Sequence, residues 1–149
     1  MDEVGMTEYR HTQVGTLVLV LSGIVLILLA TLMITIEAHP IAVVVVILLL
    51  LCIAMFNSLT VEVTDIAVRV RFGPGPIGKS FRLSAIRQVR TVRNPWYYGW
   101  GIRWFPRGWL FNVSGFDAVE LVMLDGRVYR IGTDQPGGLL AAINRASTC

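Results

Sequence analysis

Residues 14–36 read VGTLVLVLSGIVLILLATLMITI, an unbroken stretch without a single charge. Nothing else constrains the chain as much, because a bilayer-spanning helix needs about 20 such residues. A second uncharged run, IAVVVVILLLLCIAMF, covers residues 41–56. It is shorter, but Pro40 suits a first helical turn, where the missing N–H costs nothing. Asn57, Ser58 and Leu59 can extend its far end. Backbone groups in lipid are satisfied only within their own segment, so both runs are expected to be helices. A pair of buried core helices is the competing reading, and a chain of 149 residues is too small to cover them.

Glu37, Ala38, His39 and Pro40 alone separate the two runs. So short a connection predicts an antiparallel hairpin with both chain ends on one side. The connection carries no Lys or Arg, whereas Arg10 precedes the first run and twelve basic residues follow the second. Positive charge stays inside, which predicts cytoplasmic N- and C-termini in a multi-pass protein of the cell (inner) membrane. The expected organisation is a cytoplasmic tail at 1–13, a transmembrane helix at 14–36, an external turn at 37–40, a second transmembrane helix at 41–57 and a cytoplasmic domain at 58–149. The first run is too long for a cleaved signal peptide and lacks a small-residue cleavage site. Cys52 falls inside a membrane helix and Cys149 is the last residue, so no disulfide is expected in a reducing compartment. No metal-ligand spacing is present.

Charge divides with the membrane. Residues 57–149 hold eleven Arg and one Lys against four Asp and two Glu, a net +6; residues 1–56 come to −3. A basic domain beside an anionic leaflet gains roughly 1 kcal/mol per basic residue near the surface. General base composition is the duller source of so much arginine.

Within the domain, LTVEVT (59–64) and IAVRVRF (66–72) alternate apolar and polar residues, as half-buried strands do, with a tight turn at Thr64-Asp65. GPGPIG (73–78) reads as a loop. Phe81 and Leu83 continue the alternation. Ile86, Val89 and Val92 then recur every third residue, as do Arg87, Arg90 and Arg93, which suggests a strand with a bulge. GIRW and WLFNV read as strands joined by FPRG. AVELVML, Asp125-Gly126 and RVYRI form the clearest hairpin. TDQPGGLLAAINRA reads as a closing helix capped by Thr133 or Asp134, with Leu139, Leu140 and Ile143 on its apolar face. About seven antiparallel strands and one covering helix result.

Taken together, the two-helix hairpin, LTVEVTDIAVRVRFGPGPIG, LSAIRQVRTV, NPWYYGWGIR, GWLFNVSGFDAVEL, DGRVYRIGTDQP and the final helix resemble the bacterial membrane proteins that carry a pleckstrin-homology-like domain. The resemblance covers residues 15–146. It implies a bent antiparallel barrel of about seven strands, plugged by its C-terminal helix, and it implies no known activity. Phosphoinositide-binding members of the wider fold place Lys and Arg in their first hairpin loop. Here that loop is Thr64-Asp65, so the resemblance does not extend to inositol-phosphate recognition.

Catalysis needs converging acid, base, nucleophile or metal groups, and the sequence offers none. His11 lies in the tail and His39 at the opposite membrane face. Asp125 is a turn residue, and Glu120 sits on a strand face without a second acid. No enzyme activity and no cofactor are expected. Gly15, Ser22 and Ala30, with Gly23 and Thr31 beside them, form a small-residue stripe on the first helix. Such a stripe suits close packing against the second helix or another protein.

The aromatic stretch NPWYYGWGIRWFPRGWLFNVSG (94–115) remains, and it holds all four tryptophans. Trp104, Trp109 and Phe111 fall on strands and are expected to face inward. Trp96, Tyr97, Tyr98 and Trp100 follow Asn94-Pro95 and read as a loop flanked by Arg93, Arg103 and Arg107. Trp and Tyr favour bilayer interfaces. This loop is therefore expected to rest on headgroups or a partner, with ordinary packing and a small-ligand site as the other readings. The function expected is scaffolding or interaction at the membrane face, with a protein partner or a second copy of the chain. The alternative is anionic-lipid or small-ligand sensing through the arginines and the 96–104 loop. No basic–aromatic strand motif of the RNA-binding kind is present, so nucleic acid is not expected.

Overall fold

A computed structural model of the chain describes residues 6–36 and 39–148. The first five residues of the expected tail, Glu37 and Ala38 of the expected turn, and Cys149 lie outside the described residues.

The first element is a strand. β1 (Thr7–Val14) runs straight into α1 (Thr16–Thr35), and α2 (Pro40–Phe56) returns to β2 (Ser58–Thr64). β1 and β2 pair antiparallel from Val14↔Ser58 to Thr7↔Thr64, and the Gly15 N–H donates to the Asn57 carbonyl at 2.7 Å. The two helices thus occupy the position of a turn in a β-hairpin. This corrects the expectation of a tail at 1–13, because residues 7–14 are an edge strand of the domain. A single residue, Asn57, separates α2 from β2.

The 20 residues of α1 carry enough apolar length to cross a bilayer, about 30 Å at the helical rise. The 17 residues of α2 are equally apolar and reach about 25 Å. The His39 ring nitrogen caps α2 by accepting from the Ile41 N–H. The helices pack on each other. Half-buried positions recur three to four residues apart, at Ser22, Leu26, Leu29 and Met33 on α1 and at Ala42, Val46, Leu49 and Ile53 on α2. Ser22 of the small-residue stripe lies on that face, while Ala30 and Thr31 are exposed. Neither helix has a fully buried residue.

The remaining elements are β3 (Ala67–Phe72), β4 (Gly78–Arg82), β5 (Ile86–Arg93), β6 (Gly101–Phe105), β7 (Gly108–Asn112), β8 (Asp117–Met123), β9 (Val128–Gly132) and α3 (Pro136–Thr148). They form one sheet of order β1-β2-β3-β4 and a second of order β5-β8-β9-β7-β6. The described residues therefore hold nine strands, not seven. The pattern is also not wholly antiparallel, since β7 and β9 run parallel. The expected irregularity near Ile86 is present as a shift in the β5–β8 register between Ile86 and Gln88.

The two sheets close over one core. Leu59, Val61, Val63, Val68, Val70, Phe72 and Phe81 from the first meet Phe111, Val119, Leu121, Tyr129 and Ile131 from the second. α3 seals it with Leu139, Ala142, Ile143 and Ala146. Leu140 is only half-buried. His11 Nε2 lies 2.5 Å from Asp134 Oδ1 and the Tyr9 hydroxyl donates to Gln135 Oε1, so β1 is tied to the start of α3.

Candidate functional site

Cross-strand register builds the site. Arg90 on β5, Glu120 on β8 and Arg130 on β9 stand directly opposite one another, and residues so paired share a sheet face. That face is the outer one, because their neighbours Val119 and Leu121 point into the core. Glu120 is nevertheless only 1% exposed. Arg130 Nε donates to its Oε2 at 2.7 Å, Arg90 Nε donates to Oε1 at 2.7 Å, and Arg90 Nη2 also reaches Oε1. Burial pushes the Glu120 carboxyl up. The hydrogen bonds and charges of Arg130 and Arg90 outweigh it and hold the carboxyl below its ordinary value.

A roof of aromatics covers these charges. The Arg130 guanidinium lies 4.7 Å from the Phe105 ring and 5.7 Å from the Tyr98 ring, and its Nη1 donates to Asn94 Oδ1 at 3.0 Å. Phe105 stacks on Tyr98, Tyr98 meets Tyr97 edge to face, and Tyr97 meets Trp96 in the same way. One end of this ladder is buried on an arginine and the other projects into the surroundings. Trp96 is 76% and Tyr97 67% exposed. A short 3₁₀ turn at 96–98 and Gly99 at φ +68° produce the split. The left-handed glycine reverses the chain so that Tyr98 folds under while Trp96 and Tyr97 stay out.

Trp100 is half-buried against Phe116, with ring centroids 6.1 Å apart, and its indole N–H has no acceptor among the described residues. Arg103 Nε donates to the Trp100 carbonyl at 3.1 Å and holds the loop closed. Arg93 ends β5 at the loop's base. The structure thus gathers Trp96, Tyr97, Tyr98, Trp100, Arg93 and Arg103 around one loop. Arg107 is not part of it, since it lies in the β6–β7 turn at the far end of both strands. Trp104 and Trp109 correct the expectation of inward-facing side chains. They pair across β6 and β7 on the same face as buried Tyr129, yet remain 70% and 44% exposed. β6 is the outermost strand of its sheet, and among the described residues no layer covers Trp104 there. Phe111, two residues further along β7, is buried as expected.

The loop sits at the helix end of the domain. The Asn94 N–H donates to the Phe116 carbonyl, Gln13 Nε2 donates to the Ser114 carbonyl, and the space beside Gly15 abuts Val113. Residues 113–116 therefore bridge the base of α1 and the aromatic loop. The loop at Thr64-Asp65 lies at the other end of β2, about 20 Å away along seven strand residues.

Truncation separates the two ends of the ladder. Phe105→Ala is expected to cost about 3–5 kcal/mol, as for a buried core aromatic. A Trp96→Ala/Tyr97→Ala variant should stay within about 0.5 kcal/mol of the parent. Thermal melts of the full chain in detergent check both values, and equal losses would mean that Trp96 and Tyr97 are structural.

Among the described residues, no group of three or more His, Cys, Asp or Glu side chains is placed to hold a metal. No family model matches this chain, no curated protein matches it, and no solved structure matches it.

Proposed function

We propose that this chain is a non-catalytic integral membrane protein of the bacterial cell membrane. Its α1 and α2 cross as a hairpin, and its pleckstrin-homology-like β domain works as a scaffold or interaction module held against the cytoplasmic face. One observation carries the reading: both helices leave from adjacent, hydrogen-bonded positions of one β-hairpin, Val14 and Ser58. A domain tethered by a flexible linker samples many heights and tilts. A domain whose own strands continue into the helices holds one. The helices expose apolar side chains all round, with Ile27 and Ile34 among the most open, and in water such surface demands a cover. The short α2 draws the domain toward the headgroups, because a span below the hydrocarbon thickness is accommodated by pulling its flanks inward.

The exposed ends of the aromatic ladder fit this placement. Trp96 and Tyr97 stand at the helix end, where headgroups or a membrane-bound partner, another protein or a second copy, are within reach. The buried acid supports a non-catalytic role, since Glu120 is held by two arginines instead of being free to take up a proton.

Side-specific labelling tests the topology. In a Cys52→Ser/Cys149→Ser background, single cysteines at Glu37 and Asp65 are probed with a membrane-impermeant maleimide in sealed inverted vesicles. Labelling at Asp65 and protection at Glu37 are expected. Labelling of both from one side would leave the hairpin reading untenable.

A further inference from the structure

Among the described residues, the strands at the sheet edges are β1 and β4 in the first sheet and β5 and β6 in the second. An unpaired edge is ordinarily blunted by charge or covered. β5 carries Arg87, Arg90 and Arg93, β4 carries Lys79 and Arg82, and β1 carries Glu8 and Arg10. β6 differs from these. Its Ile102 and Trp104, with Val14 at the foot of α1, are the large apolar side chains that the described edge strands leave exposed. Its one charge is Arg103.

The hairpin turn fixes which backbone groups of β6 are free. Phe105 and Gly108 are partners across the two-residue turn Pro106-Arg107. Partners so close in sequence form the hydrogen-bonded kind of pair, and the two kinds alternate along an antiparallel ladder. Gly101, Arg103 and Phe105 therefore direct their backbone groups at β7. The N–H and C=O groups of Ile102 and Trp104 point away from it, and among the described residues no strand lies on that side. Ile102 stands in register with buried Phe111 and Ile131, and Trp104 with Trp109 and Tyr129. Both side chains thus extend the apolar core face beyond its cover. Arg103 stands in register with Leu110 and Arg130 on the opposite face. Its Nε donates to the Trp100 carbonyl, and it has no acidic partner among the described residues.

We infer that β6 takes an extended segment of another protein as an added antiparallel strand, with an acidic residue opposite Arg103 and apolar residues opposite Ile102 and Trp104. Strand addition draws affinity from main-chain hydrogen bonds and specificity from alternate side chains. Ile102 and Trp104 supply the hydrogen-bonded pairs. Arg103 then falls in the closer kind of pair, with Cα atoms about 4.5 Å apart, where a carboxylate meets its guanidinium. Charge argues against a second copy as the occupant. Two β6 strands that use all their free groups pair about Arg103, which sets one arginine directly against the other. Like charges so placed are destabilising. The inference rests on the proposed role as an interaction module and names what the partner presents. It is read in micelles, so its failure is separable from a failed labelling test.

The peptides Thr-Val-Glu-Val-Thr and Thr-Val-Lys-Val-Thr are held on sensor surfaces, and the full chain in detergent is passed over each. Binding about tenfold tighter to the Glu peptide is expected, the difference between an attractive and a repulsive cross-strand pair. Arg103→Glu should reverse the preference. Trp104→Pro removes an outward N–H where an edge strand tolerates proline. It should abolish binding of both peptides while circular dichroism shows the chain still folded. No binding by the parent, equal affinity for the two peptides, or loss of both in Arg103→Glu overturns the proposal. A dimer of the parent that Trp104→Pro dissolves and that excludes the peptides gives the edge to a second copy and overturns it too.

Discussion

Glu120→Gln is expected to lower the stability of the domain by about 3 kcal/mol, the lower end of the range for breaking a buried pair. At this size that is a fall in melting temperature of roughly 10 °C. The substitution keeps shape and volume but leaves the Arg130 guanidinium, enclosed by Phe105, Tyr98 and Asn94, without its counter-charge. Arg90 contributes less, because its side chain is 47% exposed and water screens the loss. Asp125→Asn removes an equal charge from an exposed turn and should move stability by no more than about 0.5 kcal/mol. The sign of the pH dependence follows from the same contacts. Folding lowers the Glu120 carboxyl, so its contribution is complete above the unfolded value of about 4.3. It disappears as pH falls through that value and then through the lower folded one. Parent and Glu120→Gln melts should therefore converge in acid. A gap that persists at pH 2, roughly two units below the ordinary carboxylate value, would show that the charge is not what Glu120 contributes.

Joining Val14 directly to Ser58 through Asn-Gly should yield a folded, soluble β domain, whereas a fragment starting at Ser58 should not behave as one. The two residues are already partners at the end of an antiparallel ladder, and Asn-Gly is a turn that closes such a ladder. The fragment loses β1. That removes the cover from the backbone of β2, the packing of Tyr9 on the core, and the His11–Asp134 and Tyr9–Gln135 links to α3. A loss of at least about 3 kcal/mol is expected. Association through the bared edge of β2 is also expected, since unpaired strand edges template further pairing. Size-exclusion profiles and thermal melts of the two proteins decide the matter. A monomeric fragment as stable as the joined chain would mean that β1 is only an accessory.

β1 was the largest element missing from the linear reading. TEYRHTQV has one clearly apolar residue at its end and polar residues on both sides. An edge strand with one face in water presents little periodicity, and its pairing partner lies beyond the entire helical insertion. The Arg90–Glu120–Arg130 cluster was hidden for a different reason. A two-residue turn at Asp125-Gly126 would set Glu120 opposite Ile131. The turn instead contains three residues, 124–126, with Gly126 at φ +85° and Met123 set opposite Arg127, its N–H donating to the Arg127 carbonyl. One residue of slip changes every facing pair, so a loop conformation decided whether the acid met a cation.

Local physics alone determined the two apolar helices, the strands β2, β3, β8 and β9, and the closing helix. Each is an unbroken apolar run or a periodic pattern that a single segment carries by itself. Tertiary structure decided which aromatics are covered and which are not. Tyr98 and Phe105 go under because a buried guanidinium needs a roof, while Trp104 and Trp109 stay out because the sheet ends at β6. Tertiary structure also turned a tail into a strand and the helical hairpin into the turn of a β ladder. Alternation along a strand reports which of its faces is apolar. Whether another layer lies over that face depends on residues far away in the chain, and no local pattern carries that information.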